Sequence, residues 1–164
     1  MFIMKIMALY AKHPGANGLV MHLKSNGQKM NTPFEKMLSE RPWILADGAT
    51  GTNLFNMGLL SGDAPELWNE QHPERIRKLY QMAVDAGSDL FLTNSFGGNA
   101  SRLKLHDQAH RAFHLSKISA EIGRDVADKS ERDIIVAGSV GPTGDIMQPV
   151  GPLSHSDAVE IFHE

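Results

Sequence analysis

A short apolar stretch followed by a glycine-rich loop and then a helix occurs three times in this chain, and this alternation constrains the fold most. The apolar stretches are residues 43–46, 89–93 and 134–137, and the loops after them are 47–52, 94–98 and 138–144. Strands that alternate with helices are joined by right-handed crossovers and lie parallel. Continuous apolar strands indicate a sheet covered on both faces. The sequence therefore predicts an α/β fold, either a doubly wound open sheet or a (β/α)₈ barrel.

The segments around these strands carry the signals of helices. Thr32, Pro33 and Glu35 form a capping box with proline at the first helical position. Apolar residues recur at helical spacing after Pro73 and again after Asp107. The predicted helices cover about 33–40, 53–58, 73–86, 107–129 and 157–164, the last capped by Ser154 or Ser156.

Three strands are few for a parallel α/β domain. A complete (β/α)₈ barrel needs roughly 250 residues, whereas this chain has 164. The final helix reaches the apolar residues Ile161 and Phe162 without a glycine cap. We therefore expect the truncated N-terminal part of a (β/α)₈ TIM barrel, with about three βα units. The alternative is a compact three-stranded domain that dimerises through its open sheet edge.

Residues 1–30 differ from the rest of the chain in charge, with four lysines and no acidic residue, although the whole chain has a net charge of −3. A targeting peptide, a basic tail for nucleic acid, and an extension upstream of a start at Met30 or Met37 would each explain this composition. We treat 1–30 as a disordered basic leader and 31–164 as the folded region. An acidic body without interleaved basic and aromatic residues argues against nucleic acid as a partner. No apolar stretch approaches the ~18 residues of a membrane span, and we expect a cytoplasmic protein.

Polar residues follow the strands at their carboxyl ends, where parallel α/β folds bind ligands. Asp47 comes directly after the first strand, and its carboxylate could hold an ammonium group. The backbone N–H groups from Gly48 to Thr52 could bind a carboxylate. Opposite charges at this spacing match the zwitterion of an amino acid. The alternative is that Asp47 caps a helix or a turn.

Thr93, Asn94 and Ser95 could supply neutral hydrogen bonds after the second strand, although a local hydroxyl turn is the favoured interpretation for Ser95. The histidines His106, His110 and His114 recur every four residues. This spacing can bind a metal on a helix, but a solvated polar face is the favoured interpretation. The chain contains no cysteine, which excludes disulfide bonds and cysteine-bound metal within it.

Taken together, these motifs resemble the homocysteine S-methyltransferase family. The matching segments are, in chain order, 47–52 (DGATGT), 72–73 (HP), 86–89 (AGSD), 93–96 (TNSF) and 136–143 (VAGSVGPT). The resemblance covers about 43–164. The following segment, 144–153, looks most like bacterial betaine–homocysteine methyltransferases, with the homocysteine-binding module of cobalamin-dependent methionine synthase close behind.

The resemblance implies a (β/α)₈ barrel that transfers a methyl group from a cationic donor, expected to be betaine, to homocysteine and gives methionine. A zinc ion held by three cysteines activates the homocysteine sulfur in that family. By resemblance, Asp47 takes the amino group of homocysteine, the backbone at Ala49 and Thr50 takes its carboxylate, and Thr93 lines the pocket. The predicted substrate-binding residues are Asp47, Gly48, Ala49, Thr50, Thr93 and Asn94.

This chain departs from the family in its metal ligands. The family's zinc cysteines lie in later strands, and no cysteine occurs here. We therefore assign no catalytic residue and no metal ligand, and expect this chain alone to be inactive. Two hypotheses follow: an N-terminal part of a zinc-dependent enzyme, or a non-catalytic amino-acid-binding or interaction module. An incomplete barrel exposes apolar edges and helix faces, so we expect self-association or a complementing chain as partner.

Overall fold

The computed structural model describes residues 32–163 of the chain, and the predicted leader 1–30 lies outside them. The helices there are α1 (Pro33–Glu40), α2 (Thr50–Asn56), α3 (Trp68–Gln71), α4 (Pro73–Asp85), α5 (Ala100–Leu103), α6 (Ala112–Asp128) and α7 (His155–Ile161). The strands are β1 (Leu90–Leu92) and β2 (Ile135–Ala137), and 3₁₀ turns occupy Pro65–Leu67, Lys104–His106 and Ala109–Arg111. No helix in this range is long and apolar enough to cross a bilayer.

The strands pair in parallel, as the sequence predicts. In the centre of the β1–β2 ladder Phe91 lies opposite Val136. On the other side of β1, Ala46 forms an isolated parallel bridge with Leu90, and the N–H of Asp89 donates to the carbonyl of Leu45 at 2.8 Å. The spatial order is therefore the 44–46 segment, β1 and β2, and the first predicted strand is reduced to a bridge.

One face of the sheet is covered by α4 and α6. Tyr80 of α4 stacks on Phe91 with ring centroids 4.8 Å apart. At Gly123 of α6, an added Cβ would come within 2.9 Å of Val136 Cγ1 and 3.2 Å of Phe91 Cε2. The glycine thus lets α6 lie directly on the sheet. The buried residues of this core are Leu54, Leu59, Trp68, Ile76, Leu79, Tyr80, Val84, Phe91, Ile122, Val126, Ala127 and Ile134.

The opposite face is covered less completely. Met37 of α1 packs with Ile44 and Leu90 in a smaller cluster. The α1 capping box forms as predicted, because the N–H of Glu35 donates to Thr32 Oγ1 at 3.2 Å and the N–H of Thr32 donates to the Glu35 carboxylate at 3.0 Å. Leu45, which alternates with Ile44 and so points to the other face of the sheet, remains 41% exposed. The expectation of a sheet buried on both faces therefore holds for β1, holds only in part for β2, whose residues are half-buried, and is wrong for the 44–46 segment.

The predicted long helix 107–129 is broken near its start. Asp107 has a left-handed backbone with φ of +58°, which ends the preceding 3₁₀ turn. The α-helix begins only at Ala112. His106 and His110 thus lie in two separate 3₁₀ turns and His114 on α6, so the predicted single-face histidine stripe is wrong.

The structure also fixes the cap of α7 and the start of α2. Ser154 is the cap of α7, because its Oγ accepts from the N–H of Asp157 at 3.1 Å. The second helix begins at Thr50, three residues earlier than predicted. It therefore starts inside the glycine-rich loop that follows the first strand, close to the predicted site.

Asp89 joins several elements at the amino end of β1. It is buried, and its carboxylate accepts from Arg41 Nη1 at 2.6 Å and from the N–H of Leu45 at 3.0 Å. Arg132 lies 3.7 Å away on the segment before β2. Because this is the end of the strands opposite to the ligand-binding end, Asp89 supports the fold.

Candidate functional site

The loops at the carboxyl ends of the strands are hydrogen-bonded to one another. The N–H of Ser139, after β2, donates to Thr93 Oγ1 at 3.1 Å. Ser95 Oγ donates back to the carbonyl of Ser139 at 2.9 Å. On the other side, the N–H of Leu92 donates to Asp47 Oδ1 at 3.2 Å. The convergence of these three loops is therefore present in the fold.

Asp47 is held by backbone groups at the edge of this convergence. It is partly buried, and burial raises the pKa of its carboxyl, while the N–H groups of Leu92 and of Asp47 itself act in the opposite direction. No Lys, Arg or His among residues 32–163 lies within ion-pair distance of it. A carboxylate that has lost water without gaining a cation favours a cationic ligand.

The backbone after Asp47 adopts an unusual conformation. Ala49 has φ of +57° and ψ of 30°, in the left-handed region that non-glycine residues rarely occupy. Gly48 and Ala49 are exposed, and Thr50 begins α2. A strained residue persists only where the surrounding structure fixes it, and such residues concentrate at functional sites. The loop 48–50 is therefore fixed and accessible.

A cavity of about 400 Å³ opens beside this loop, within the usual range for small-molecule sites of about 300–1,000 Å³. Three of the predicted residues, Thr50, Thr93 and Asn94, line its wall. Asp47, Gly48 and Ala49 are not among its lining residues and lie at the neighbouring strand end. The lining residues are Thr50, Gly51, Leu54, Asp63, Ala64, Pro65, Glu66, Leu92, Thr93, Asn94, Phe96, Gly97, Arg102, Leu103, His106 and Ser139.

Asn94 is the most constrained of the predicted residues. Its Nδ2 donates to the carbonyl of Pro65 at 2.8 Å and to Asn69 Oδ1 at 2.9 Å. Its backbone N–H donates to the hydroxyl of Tyr80 at 2.7 Å. Both amide hydrogens are thus used inside the protein, so Asn94 holds the loop after β1 in place. Contact of its side chain with substrate stays a prediction.

Asn69 belongs to the same network and was missed by the sequence analysis. It is fully buried, and its Nδ2 donates to the carbonyls of Asn94 at 2.9 Å and Leu115 at 3.1 Å. The four-residue helix that carries it is too short for a periodic pattern. Sequence patterns report which face of a helix is apolar, and they do not reveal a polar side chain whose partners are distant in the chain.

Tyr80 of α4 combines an apolar ring, which packs in the core, with a hydroxyl that reaches the site. Its hydroxyl shares a 2.7 Å hydrogen bond with Ser119 Oγ as well as accepting from Asn94. Burial raises the pKa of this phenol, and the nearby charge of Asp47 acts in the same direction, against the hydrogen bonds from Ser119 and Asn94. The phenol is therefore kept neutral as a fixed link between the core and the site.

Glu66 brings a buried carboxylate to the cavity wall. It is 5% exposed, and its Oε1 accepts from the N–H of Gly97 at 2.7 Å. An added Cβ at Gly97 would lie 3.0 Å from that oxygen, so a side chain here would press on the Glu66 carboxylate. Arg102 and His106 contribute to the same cavity. The sequence analysis missed Glu66 and Arg102, because no motif marks either residue.

Comparison with known proteins identifies the family. The profile of the family described as homocysteine S-methyltransferase matches residues 44–164. The chain belongs to this family. The resemblance deduced from the sequence motifs is thus confirmed.

Two methionine synthases are among the curated relatives of this chain. That of Mycobacterium leprae is 32% identical over 127 residues, which cover 72% of this chain and 10% of the relative. That of Mycobacterium tuberculosis is 35% identical over 121 residues, which cover 68% of this chain and 10% of the relative. The chain therefore spans about a tenth of the length of these relatives.

Two solved structures of the homocysteine methyltransferase MmuM from Escherichia coli are similar in fold. The oxidized form matches with a TM-score of 0.58 and 26% identity, over 70% of this chain and 42% of the other. The metallated form matches with a TM-score of 0.58 and 27% identity, over 69% of this chain and 42% of the other. The described fold thus corresponds to part of a homocysteine methyltransferase fold.

The zinc that the resemblance implies does not fit the residues of this chain. Three cysteine ligands are implied, and the chain has no cysteine. Within residues 32–163 no three His, Cys, Asp or Glu side chains are grouped so as to hold a metal ion. Metal binding by this family member therefore cannot be assigned to any side chain that the structure describes.

Proposed function

We propose that this chain forms the homocysteine-binding part of a homocysteine S-methyltransferase, which transfers a methyl group from betaine to homocysteine and gives methionine. The observation that carries the proposal is the position of Asp47. It lies at the carboxyl end of the first strand segment, is fixed by the N–H of Leu92 at 3.2 Å, and stands next to a cavity of small-molecule size.

The amino group of homocysteine is the cation that Asp47 is suited to bind. Burial raises the pKa of the Asp47 carboxyl, so its ionised form is stabilised when an ammonium group replaces the lost water. The carboxylate of homocysteine then lies toward the backbone N–H groups of Ala49 and Thr50. Because Ala49 is fixed in the left-handed conformation, these groups need little reordering on binding.

Thr93 contributes to the shape of the pocket wall. Its hydroxyl shares a 2.7 Å hydrogen bond with Ser95 Oγ and accepts from the N–H of Ser139. These bonds fix the two later loops relative to each other, so that the part of the cavity wall at Thr93 and Ser139 is rigid. Asn94 supports the same wall from behind through Asn69 and Tyr80.

The chain has no cysteine, and residues 32–163 hold no group of three His, Asp or Glu side chains that could bind zinc. We therefore propose that the chain binds homocysteine without methylating it when alone. The purified chain, incubated with homocysteine, zinc and betaine, is expected to give no more methionine than a boiled control. Turnover above that control would contradict this part of the proposal. A non-catalytic amino-acid-binding module is expected to give the same result, namely binding of homocysteine without turnover.

The two methionine synthase relatives favour a second candidate, the homocysteine module of a cobalamin-dependent methionine synthase. Both candidates use the same amino-acid site and differ in the methyl donor. Addition of betaine separates them, because only a betaine-dependent enzyme is expected to bind it in the cavity beside homocysteine.

The test of the amino-acid site is calorimetric titration of L-homocysteine into the wild-type chain and into Asp47→Asn. A charge-assisted hydrogen bond contributes about 1.5–3 kcal/mol, so the variant is expected to bind at least tenfold more weakly. Asp133→Asn is the matched control, since Asp133 is exposed and lies before β2, at the other end of the sheet. 4-Mercaptobutanoic acid, which lacks the amino group, is expected to bind both proteins equally. Equal homocysteine affinities for wild type and Asp47→Asn would refute the role of Asp47.

A further inference from the structure

One arginine of the described region differs from the others in its contacts. The other six each contact an acid, a backbone carbonyl or an aromatic ring. They are Arg41, Arg75, Arg77, Arg111, Arg124 and Arg132. The guanidinium of Arg102 has no such partner within residues 32–163, and it is the arginine that lines the cavity.

Two neighbouring loops hold Arg102 in this position. Its backbone N–H donates to Asn99 Oδ1 at 3.0 Å, and Asn99 Nδ2 donates to the carbonyl of Pro142 at 3.3 Å. An added Cβ at Gly144 would lie 3.5 Å from both Cδ and Nη1 of Arg102. The loop after β2 thus passes along one side of this exposed side chain, which lies beside the cavity.

The cavity combines both signs of charge. Asp63 and Glu66 contribute carboxylates, whereas Arg102 contributes a permanent positive charge. Glu66 is engaged with the N–H of Gly97. We propose that Arg102 binds the carboxylate of a zwitterionic small molecule in this cavity. The inference rests on the proposed function, because that function makes the cavity a substrate site.

Arginine is suited to this role by its geometry. Its planar guanidinium presents two parallel N–H groups to the two oxygens of one carboxylate, which lysine cannot do. Two zwitterions of the proposed reaction carry a carboxylate, homocysteine and a betaine-type methyl donor. The proposed function places the carboxylate of homocysteine at the backbone of Ala49 and Thr50, so the methyl donor is the ligand expected at Arg102. An effect on homocysteine would place its carboxylate at Arg102 in place of that backbone. Arg102 then selects substrates with a carboxylate over analogues without one.

The experiment is an NMR-detected titration of the full chain with four ligands. L-Homocysteine and 3-aminopropane-1-thiol differ only in the carboxylate, whereas glycine betaine and choline are quaternary amines with and without one. Wild type is compared with Arg102→Gln, with Arg102→Lys, and with Lys104→Gln as a matched loss of charge. Lys104 is exposed, follows α5 directly and is not part of the cavity wall. Thermal melts check that each variant is folded.

We expect Arg102→Gln to weaken binding of a carboxylate ligand about 10- to 100-fold, and Arg102→Lys to weaken it less. Binding of the carboxylate-free analogues is expected to be unchanged, as is all binding by Lys104→Gln. An effect on glycine betaine alone assigns the methyl donor to Arg102, and an effect on homocysteine alone assigns the amino acid.

The outcomes separate this inference from the proposed function. If Asp47→Asn leaves homocysteine binding unchanged while Arg102→Gln weakens a carboxylate ligand, the amino-acid site fails and the role of Arg102 stands. Arg102 is excluded as a carboxylate ligand if Arg102→Gln changes nothing, if it weakens the carboxylate-free analogues equally, or if wild type binds neither carboxylate.

Discussion

Replacing Asn69 by alanine tests the idea that a buried amide network holds the candidate site. The side chain makes three hydrogen bonds, two as donor to the carbonyls of Asn94 and Leu115 and one as acceptor from Asn94 Nδ2. Each contributes about 1 ± 0.5 kcal/mol net, so their loss sums to about 3 kcal/mol. That is a large part of the 5–15 kcal/mol by which domains are typically stable.

The measurement is urea denaturation followed by tryptophan fluorescence. Trp68 is buried next to Asn69 and changes environment on unfolding, whereas Trp43 is already exposed. With a slope of about 2 kcal/mol/M, a loss of 3 kcal/mol lowers the midpoint by about 1.5 M. Homocysteine binding is expected to weaken as well, because the loop after β1 loses its anchor. Asn56→Ala, at the exposed end of α2, is the control and should change stability by less than about 0.5 kcal/mol.

A loss below about 1 kcal/mol for Asn69→Ala would refute the hydrogen-bond reasoning. If the variant does not fold in buffer, Tyr80→Phe provides a milder test. It removes only the hydroxyl that contacts Ser119 and Asn94, so the expected loss is about 2 kcal/mol.

Three further substitutions test the site and the packing behind it by urea midpoints. Burial raises the pKa of Asp47 in the folded state, so its contribution to stability is lost as pH rises through that pKa. Asp47→Asn should therefore be more stable than wild type at pH 7, and this gain should shrink toward pH 4. The absence of a gain at pH 7 would argue against desolvation of Asp47. Ala49→Gly relieves a left-handed backbone strain of about 1–2 kcal/mol, and the greater flexibility of unfolded glycine costs about 0.5–1 kcal/mol. We therefore expect the free energy of unfolding to rise by about 0.5–1 kcal/mol. A fall would mean that Ala49 is unstrained. Gly123→Ala places a Cβ within 2.9 Å of Val136 and should cost about 1–3 kcal/mol; a neutral result would show that α6 can move away from the sheet.

The sequence predicted the elements of the fold better than their edges. Asp89 to Thr93 and 134–137 are apolar runs between helix signals, and both form paired strands at those places. The 44–46 segment makes only a bridge to β1, with Leu45 41% exposed, although its residues are as apolar as those of β2. The 3₁₀ turn Ala109–Arg111 and the later start of α6 at Ala112 were not predicted, because the apolar spacing continues through this turn.

In the candidate site, too, some contacts could be predicted from the sequence and others could not. Loops after parallel strands must meet at one edge of the sheet, so the contacts between the loops of Thr93 and Ser139 followed from topology. The partners of Asn69, Glu66 and Arg102 depend on which helix packs where. Those contacts join residues far apart in sequence, which no local pattern specifies.

Two aspartates at opposite ends of the same sheet differ in how their charges are compensated. Asp89, at the amino end, accepts from Arg41 and from the N–H of Leu45, so its charge is compensated inside the protein. Asp47, at the carboxyl end, accepts from the N–H of Leu92 and lies within ion-pair distance of no cation among residues 32–163. An aspartate at the amino end of the sheet therefore stabilises the fold. The aspartate at the carboxyl end keeps a charge that the ammonium group of the proposed ligand can compensate.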